Sequence, residues 1–114
     1  MYRQGGGETL ANITATRYYR IVIVSYADPE TKLIGSGRRS RRLPADIQIA
    51  AARKLAQLDA ATALQDLKAP PGNRLEALKG NRSHQHSIRI NGQWRIVFVW
   101  TQQGPRDVQI VDYH

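Results

Sequence analysis

Lys79, Arg95, Asp112, Tyr113 and His114 are the residues whose types suit proton transfer and phosphate binding. The last three follow one another at the end of an alternating segment, Val108-Gln109-Ile110-Val111. There an imidazole that titrates near neutrality stands beside a phenol and a carboxylate. The α-carboxylate next to His114 favours the protonated ring, as any close anion does. Metal-free cleavage of a ribonucleotide phosphodiester needs little more. A base removes the 2′-hydroxyl proton, cations hold the charge growing on the phosphate, and an acid protonates the leaving 5′-oxygen. His114 suits either proton-transfer role, with Tyr113 as helper and Asp112 orienting its neighbours. Lys79 and Arg95 suit the phosphate clamp. By itself Lys79 reads more readily as an ordinary loop lysine. Arg95 sits inside an apolar strand and needs a partner there.

Metal chemistry has weaker support. His84 and His86 form an H-x-H pair that on a strand would share one face, which is half a metal site. No third ligand has suitable spacing, so the pair is read as surface histidines at a strand entrance, with no metal and no cofactor expected. The absence of cysteine removes disulfides, thiol catalysis and thiolate-bound zinc, and fits a reducing compartment.

Charge points to the partner class. The 114 residues carry 17 Lys and Arg against 9 Asp and Glu, a net charge of +8 with a pI near 10.5. Thirteen of those 17 cations are arginine, whose planar fork matches phosphate, so nucleic acid leads over an acidic protein partner. Arg38, Arg39, Arg41 and Arg42 form one cluster, a solvated loop that also suits ribosomal RNA or a partner, and Arg74, Arg82 and Arg89 add to the candidate RNA contacts. With 41% hydrophobic residues the chain is globular, and its length fits one domain with a single modest core. No apolar run approaches the roughly 20 residues that span a bilayer, and no signal-peptide pattern follows the glycine-rich start, so no membrane partner and a cytoplasmic location are expected.

These residues need a frame to position them. Residues 1–21 lack a core-forming pattern and read as a flexible extension, either non-native or an upstream start, ahead of a domain over 22–114. Ile21 to Tyr26 is a β-branched run and predicts a first strand. Asp28-Pro29 opens a short helix, with Asp as N-cap and Pro at the first position, and Gly35-Ser36-Gly37 ends it. Leu43-Pro44-Ala45-Asp46 starts a second helix, in which Ile47, Ala51, Leu55 and Leu58 form an apolar stripe. A turn of helix over Thr62 to Leu67 precedes the breaker Pro70-Pro71-Gly72. The period then changes to two. Arg74 to Leu78 reads as a short strand, Lys79 to Ser83 as a polar loop, and His86 to Ile90 as a strand joined through the hairpin signal Asn91-Gly92 to Gln93–Trp100. Gln102 to Pro105 turns the chain, and Asp107 to Tyr113 closes the meander. The result is an α+β domain: an N-terminal strand and two helices packed on one face of a twisted antiparallel sheet.

Parity places Trp94, Ile96, Phe98 and Trp100 in one row and Arg95, Val97 and Val99 in the other. Arg95 therefore faces away from the Trp-Phe row, and Arg89 on the neighbouring strand is positioned to join it. A basic sheet face fits RNA better than duplex DNA, since no segment reads as a recognition helix.

Leu58-Asp59-Ala60-Ala61-Thr62, the stretch Pro71 to Gly80 ending in Leu78-Lys79-Gly80, the stretch His86 to Ile96 containing Asn91-Gly92-Gln93-Trp94-Arg95-Ile96, and the ending Val111-Asp112-Tyr113-His114 resemble the HigB toxins. These are the host-inhibition-of-growth, or plasmid-maintenance killer, branch of the RelE/ParE superfamily. The resemblance runs from about Val22 to His114 and implies a RelE-like fold. It also implies a ribosome-dependent endoribonuclease that cuts mRNA in the A site of the 70S ribosome. The implied partner is a HigA-type helix-turn-helix antitoxin, usually encoded beside the toxin, and operator DNA is met only through that antitoxin. Lys79, Arg95, Asp112, Tyr113 and His114 fall on positions that match the family's active-site motifs. One departure stands out: some members carry a histidine three residues before the motif lysine, and this sequence has Glu76, which loads more of the acid/base role onto His114. The resemblance also suggests that the family's usual start corresponds to Val22. Two other readings stay open, a ParE-like toxin that blocks a protein such as gyrase without catalysis, and an inactive subunit of an antitoxin–operator complex.

Overall fold

The computed structural model describes residues 22–113; the expected N-terminal extension and His114 lie outside the described residues. Two helices, α1 (Pro29–Gly35) and α2 (Gln48–Ala60), cover one face of a four-stranded antiparallel sheet. Its strands are β1 (Glu76–Ala77), β2 (His86–Arg89), β3 (Trp94–Thr101) and β4 (Gly104–Asp112), adjacent in sequence order. This is the α+β arrangement the pattern predicts.

Local chemistry sets the helix ends. The Asp28 carboxylate accepts from Thr31 N at 2.7 Å, which satisfies one free amide of the first turn, and Pro29 follows with its ring already at a helical φ. At the other end of α1, a Cβ on Gly35 would run into the Tyr26 phenol, so the close packing there requires glycine. α2 begins in a 3-10 turn over Ala45–Ile47 and buries Ile47, Ala51, Leu55 and Leu58, the stripe read from the sequence. That stripe meets Ile88, Ile96, Phe98, Val108 and Ile110 from the sheet. Thr31 stitches the two layers: its buried hydroxyl accepts from Ile110 N at 2.9 Å.

Three expectations need correction. The first strand is reduced to one parallel bridge, Tyr26 to Val108. Residues 24–27 still run beside β4, since Val24 N and Ala27 N donate to Pro105 O and Val108 O at 2.7 and 2.9 Å. Regular pairing is interrupted because β4 carries one extra residue opposite β3 between Val97 and Val99, with Asp107 in the left-handed region at φ 52. Ser25 Oγ accepts from the displaced Asp107 N at 2.9 Å. Second, Asn91-Gly92 does not make a two-residue turn. The Asn91 carboxamide accepts from both Gln93 N and Trp94 N at 2.8 Å, while Ile90 N donates to Trp94 O, which lengthens the loop. Third, Arg74 does not open a strand. It ends the turn Pro71–Asn73 with φ 46, and β1 starts at Glu76.

Among the described residues no helix is long and apolar enough to cross a membrane.

Candidate active site

The site is built on the sheet face that the helices leave open. β2 and β3 pair Ile88 with Ile96 on the core side, so Ser87, Arg89, Arg95 and Val97 share the other face. Arg89 and Arg95 are direct cross-strand partners, as parity suggested. Two like charges in register repel, and Arg95 offsets this with contacts elsewhere.

Arg95 is held from three sides. Its Nη1 donates to Glu76 Oε1 at 2.8 Å on β1 and to Ser87 Oγ at 2.9 Å on β2. Its guanidinium carbon lies 4.7 Å from the centroid of the Tyr113 ring, which follows β4. The Arg95 side chain is 17% exposed, so its charge is partly shielded from water and acts strongly at short range. Both hydrogen bonds use Nη1, and the other guanidinium nitrogens bond to no described residue. They are donors available to an anion.

Beside Arg95 lies an open recess of about 300 Å³, lined by Glu76, Ala77, Leu78, Lys79, Arg82 and Tyr113. Lys79 is exposed at the start of a 3-10 turn over Gly80–Arg82. Arg82 donates from Nη1 to Gln85 Oε1 at 3.0 Å, which orients it along the rim. The recess thus gathers two strand-borne groups, two loop cations and a phenol within one sheet corner. It suits an anion with a planar neighbour, such as a phosphate with its nucleobase.

A family model for RelE-like toxins of the type II toxin–antitoxin system HigB matches residues 15–114. The chain belongs to this family. A segment of 63 residues, 55% of the chain, is 51% identical to Toxin HigB-1 of Vibrio cholerae serotype O1 and covers 66% of that protein. A segment of 62 residues, 54% of the chain, is 34% identical to an uncharacterized protein of Haemophilus influenzae and covers 61% of it. The matched segments thus span somewhat less than two thirds of each relative.

Set against the HigB-type motif positions, the structure brings Lys79, Arg95 and Tyr113 to one place, with Arg82 and Arg89 alongside. Asp112 is apart from them. It pairs with Trp94 in the ladder and so falls on the core-side parity, and its Oδ2 accepts from Gln93 Nε2 at 3.1 Å. Tyr113 N donates to Gln93 O at 2.7 Å, so Gln93 fixes the chain immediately before His114. Arg38, Arg39, Arg41 and Arg42 are exposed on the loop between the two helices, in the opposite layer from Arg95. Arg74 is exposed before β1. The two histidines do not share a strand face: His84 is in the turn before β2, while the His86 ring stacks 6.3 Å from Phe98 on the core side. Among the described residues no three His, Cys, Asp or Glu side chains cluster as a metal site.

Three further residues support the site and carry no motif signal of their own. Ser87 is fully buried and accepts from Arg95. Glu76, noticed only as a departure from relatives, turns out to be the ion-pair partner of Arg95. Asn73 is fully buried and ties the turn ahead of β1 to α2. Its Nδ2 donates to Gln57 Oε1, Leu67 O and Ala69 O at 2.9, 3.1 and 3.3 Å, and its Oδ1 accepts from Lys54 Nζ. In the sequence its one signal is its place directly after Pro70-Pro71-Gly72, where an asparagine side chain suits a turn.

Proposed function

We propose that this chain is a ribosome-dependent endoribonuclease, the toxin of a type II toxin–antitoxin pair, cutting translated mRNA in the A site by metal-independent acid/base chemistry in the cytoplasm. The observation that carries the reading is Arg95, a fixed and partly dehydrated cation with free donors beside the Lys79–Tyr113 recess. Arg95 and Lys79 hold the scissile phosphate as negative charge builds on its oxygens. The 2′-hydroxyl attacks phosphorus, its proton passes to a base, and the 5′-oxygen leaves with a proton from an acid. His114 supplies a proton-transfer group and Tyr113 lies where it can assist. Asp112, held by Gln93, keeps the end of the strand in place. No cofactor takes part. Arg89 and Arg82 steer the RNA strand, and its own pairing with the ribosome supplies register. A HigA-type antitoxin holds the toxin silent and brings it to operator DNA.

Mapping mRNA 5′-ends after brief induction tests this, with the parent and a Lys79→Ala, Arg95→Ala double variant side by side. Cuts in frame with translation, lost in the variant, are expected. Toxicity that survives the double substitution, with DNA damage in place of mRNA ends, would overturn the nuclease reading in favour of a ParE-like block of a protein target.

A further inference from the structure

The arginine cluster that lies apart from the recess borders a second feature. Between α1 and α2, on the outer side of the helix layer, is a groove of about 400 Å³ lined by Ile34, Gly37, Ala45, Ile49 and Ala52, with Gln48 and the arginines Arg38 and Arg39 as its polar members. Ile49 is 70% exposed, more than any other large hydrophobic side chain among the described residues. Ala45, Ile49, Ala52 and Ala56 recur at i, i+4, i+7 and i+11, a second apolar stripe on the same helical stretch that buries Ile47, Ala51, Leu55 and Leu58. Alanines on either side of one isoleucine make a shallow trough with a single large apolar contact. Gly37, at φ 81, turns the chain so that the arginines stand at its edge.

Charge selects what can fill this trough. Arg38, Arg39, Arg41 and Arg42 are all exposed, and none forms an ion pair with a described residue. Of the acids near in sequence, Glu30 accepts from Ser40 Oγ at 2.6 Å and keeps its charge, so Glu30 and Asp46 offset only part of the four arginines. A second copy of this chain brings a net charge of +8, and residues 1–21 bring Arg3, Arg17 and Arg20 against Glu8. Both are repelled. Nucleic acid would meet the arginines but has no use for an exposed isoleucine in an alanine trough.

We propose that this groove docks an acidic, amphipathic segment of the antitoxin, with an apolar side chain packed on Ile49 and Ala52 and carboxylates on Arg38 and Arg39. The proposal rests on the reading that an antitoxin holds this toxin. Because the groove and the Arg95 recess lie in opposite layers, antitoxin docking and RNA contact use separate surfaces.

The test measures affinity for the co-purified HigA-type antitoxin in the parent, in Ile49→Glu and in the Arg38→Glu, Arg39→Glu double variant, each checked by thermal melting. A photo-crosslinking side chain at position 49 identifies the neighbour. Expected are losses of about 30-fold or more in both variants with unchanged melting, and a crosslink to an antitoxin segment richer in acids than bases. Parent-like affinity in both variants would overturn the groove, as would a crosslink to residues 1–21, to a second copy or to ribosomal RNA. Failure of the parent itself to bind the antitoxin would overturn the antitoxin reading and the groove with it, an outcome distinct from loss in the variants alone.

Discussion

Glu76 Oε1 and Arg95 Nη1 lie 2.8 Å apart, joining the edge strand β1 to the central strand β3 across β2. The pair is asymmetric: the Glu76 side chain is 51% exposed and that of Arg95 only 17%. An ion pair with one half in water contributes little to stability, at most about 1 kcal/mol. Its consequence is positional. Glu76 and Ser87 both hold Nη1, which fixes the guanidinium beside the recess that Glu76 and Tyr113 line.

Replacement of Arg95 therefore tests the phosphate clamp. Arg95→Ala is expected to lower translation-coupled cleavage by about 100-fold or more while melting changes little. Arg95→Lys keeps the charge but cannot form the fork or lie on Tyr113 as a plane, so it should recover only part of the loss. Parent-like cleavage by Arg95→Ala in a reconstituted translation reaction would remove Arg95 from the site.

Asn73 governs how firmly β1 is carried. Asn73→Ala leaves the Lys54 ammonium and the Leu67 carbonyl without their partner, at a cost of about 1–3 kcal/mol. Because the turn it holds leads directly into Glu76, cleavage should fall as well, even at temperatures where the variant is fully folded. Chemical denaturation together with cleavage assays below the transition checks both parts. A stability loss with no change in cleavage would make Asn73 purely structural.

The carboxyl of Asp66 is held below its ordinary value near 3.8, because it accepts from Thr62 N, Thr62 Oγ and Ala63 N. A depressed folded-state pKa gives stability that is present above the unfolded value and lost as pH falls through the folded one. Asp66→Asn should accordingly melt below the parent at neutral pH, with the gap closing as pH drops beneath about 3.8. Melting curves between pH 2 and 7 decide it, and a gap of constant size would show that charge is not the cause.

Much of this frame could be read from residue order. Asp28-Pro29 marked the start of α1, the stripe from Ile47 to Leu58 marked the buried side of α2, and parity set Arg95 opposite Phe98. These signals are local, and each depends on residues a few positions apart. What escaped depends on distant partners. The Glu76–Arg95 contact spans 19 residues and exists only once β1, β2 and β3 are in register. The run Ile21 to Tyr26 carries strand propensity, but a bulge 82 residues later at Asp107 decides how it pairs. His84 and His86 read as surface histidines at a strand entrance; His84 is exposed in the turn, but His86 opens β2 with its ring stacked on the buried Phe98, a contact set by a partner strand.

Glu76 and His114 divide the acid/base question. If His114 carries proton transfer and Glu76 only orients Arg95, the two substitutions must differ. His114→Ala, made with no residues added after it, should lose about 100- to 10,000-fold in cleavage. Glu76→Gln keeps an oxygen that can accept from Arg95 Nη1 and removes only the charge, so its loss should stay within about 10-fold. The pH–rate profile adds an independent readout: the limb set by the histidine should persist in Glu76→Gln and vanish in His114→Ala. Equal losses in the two variants would make Glu76 a proton-transfer group.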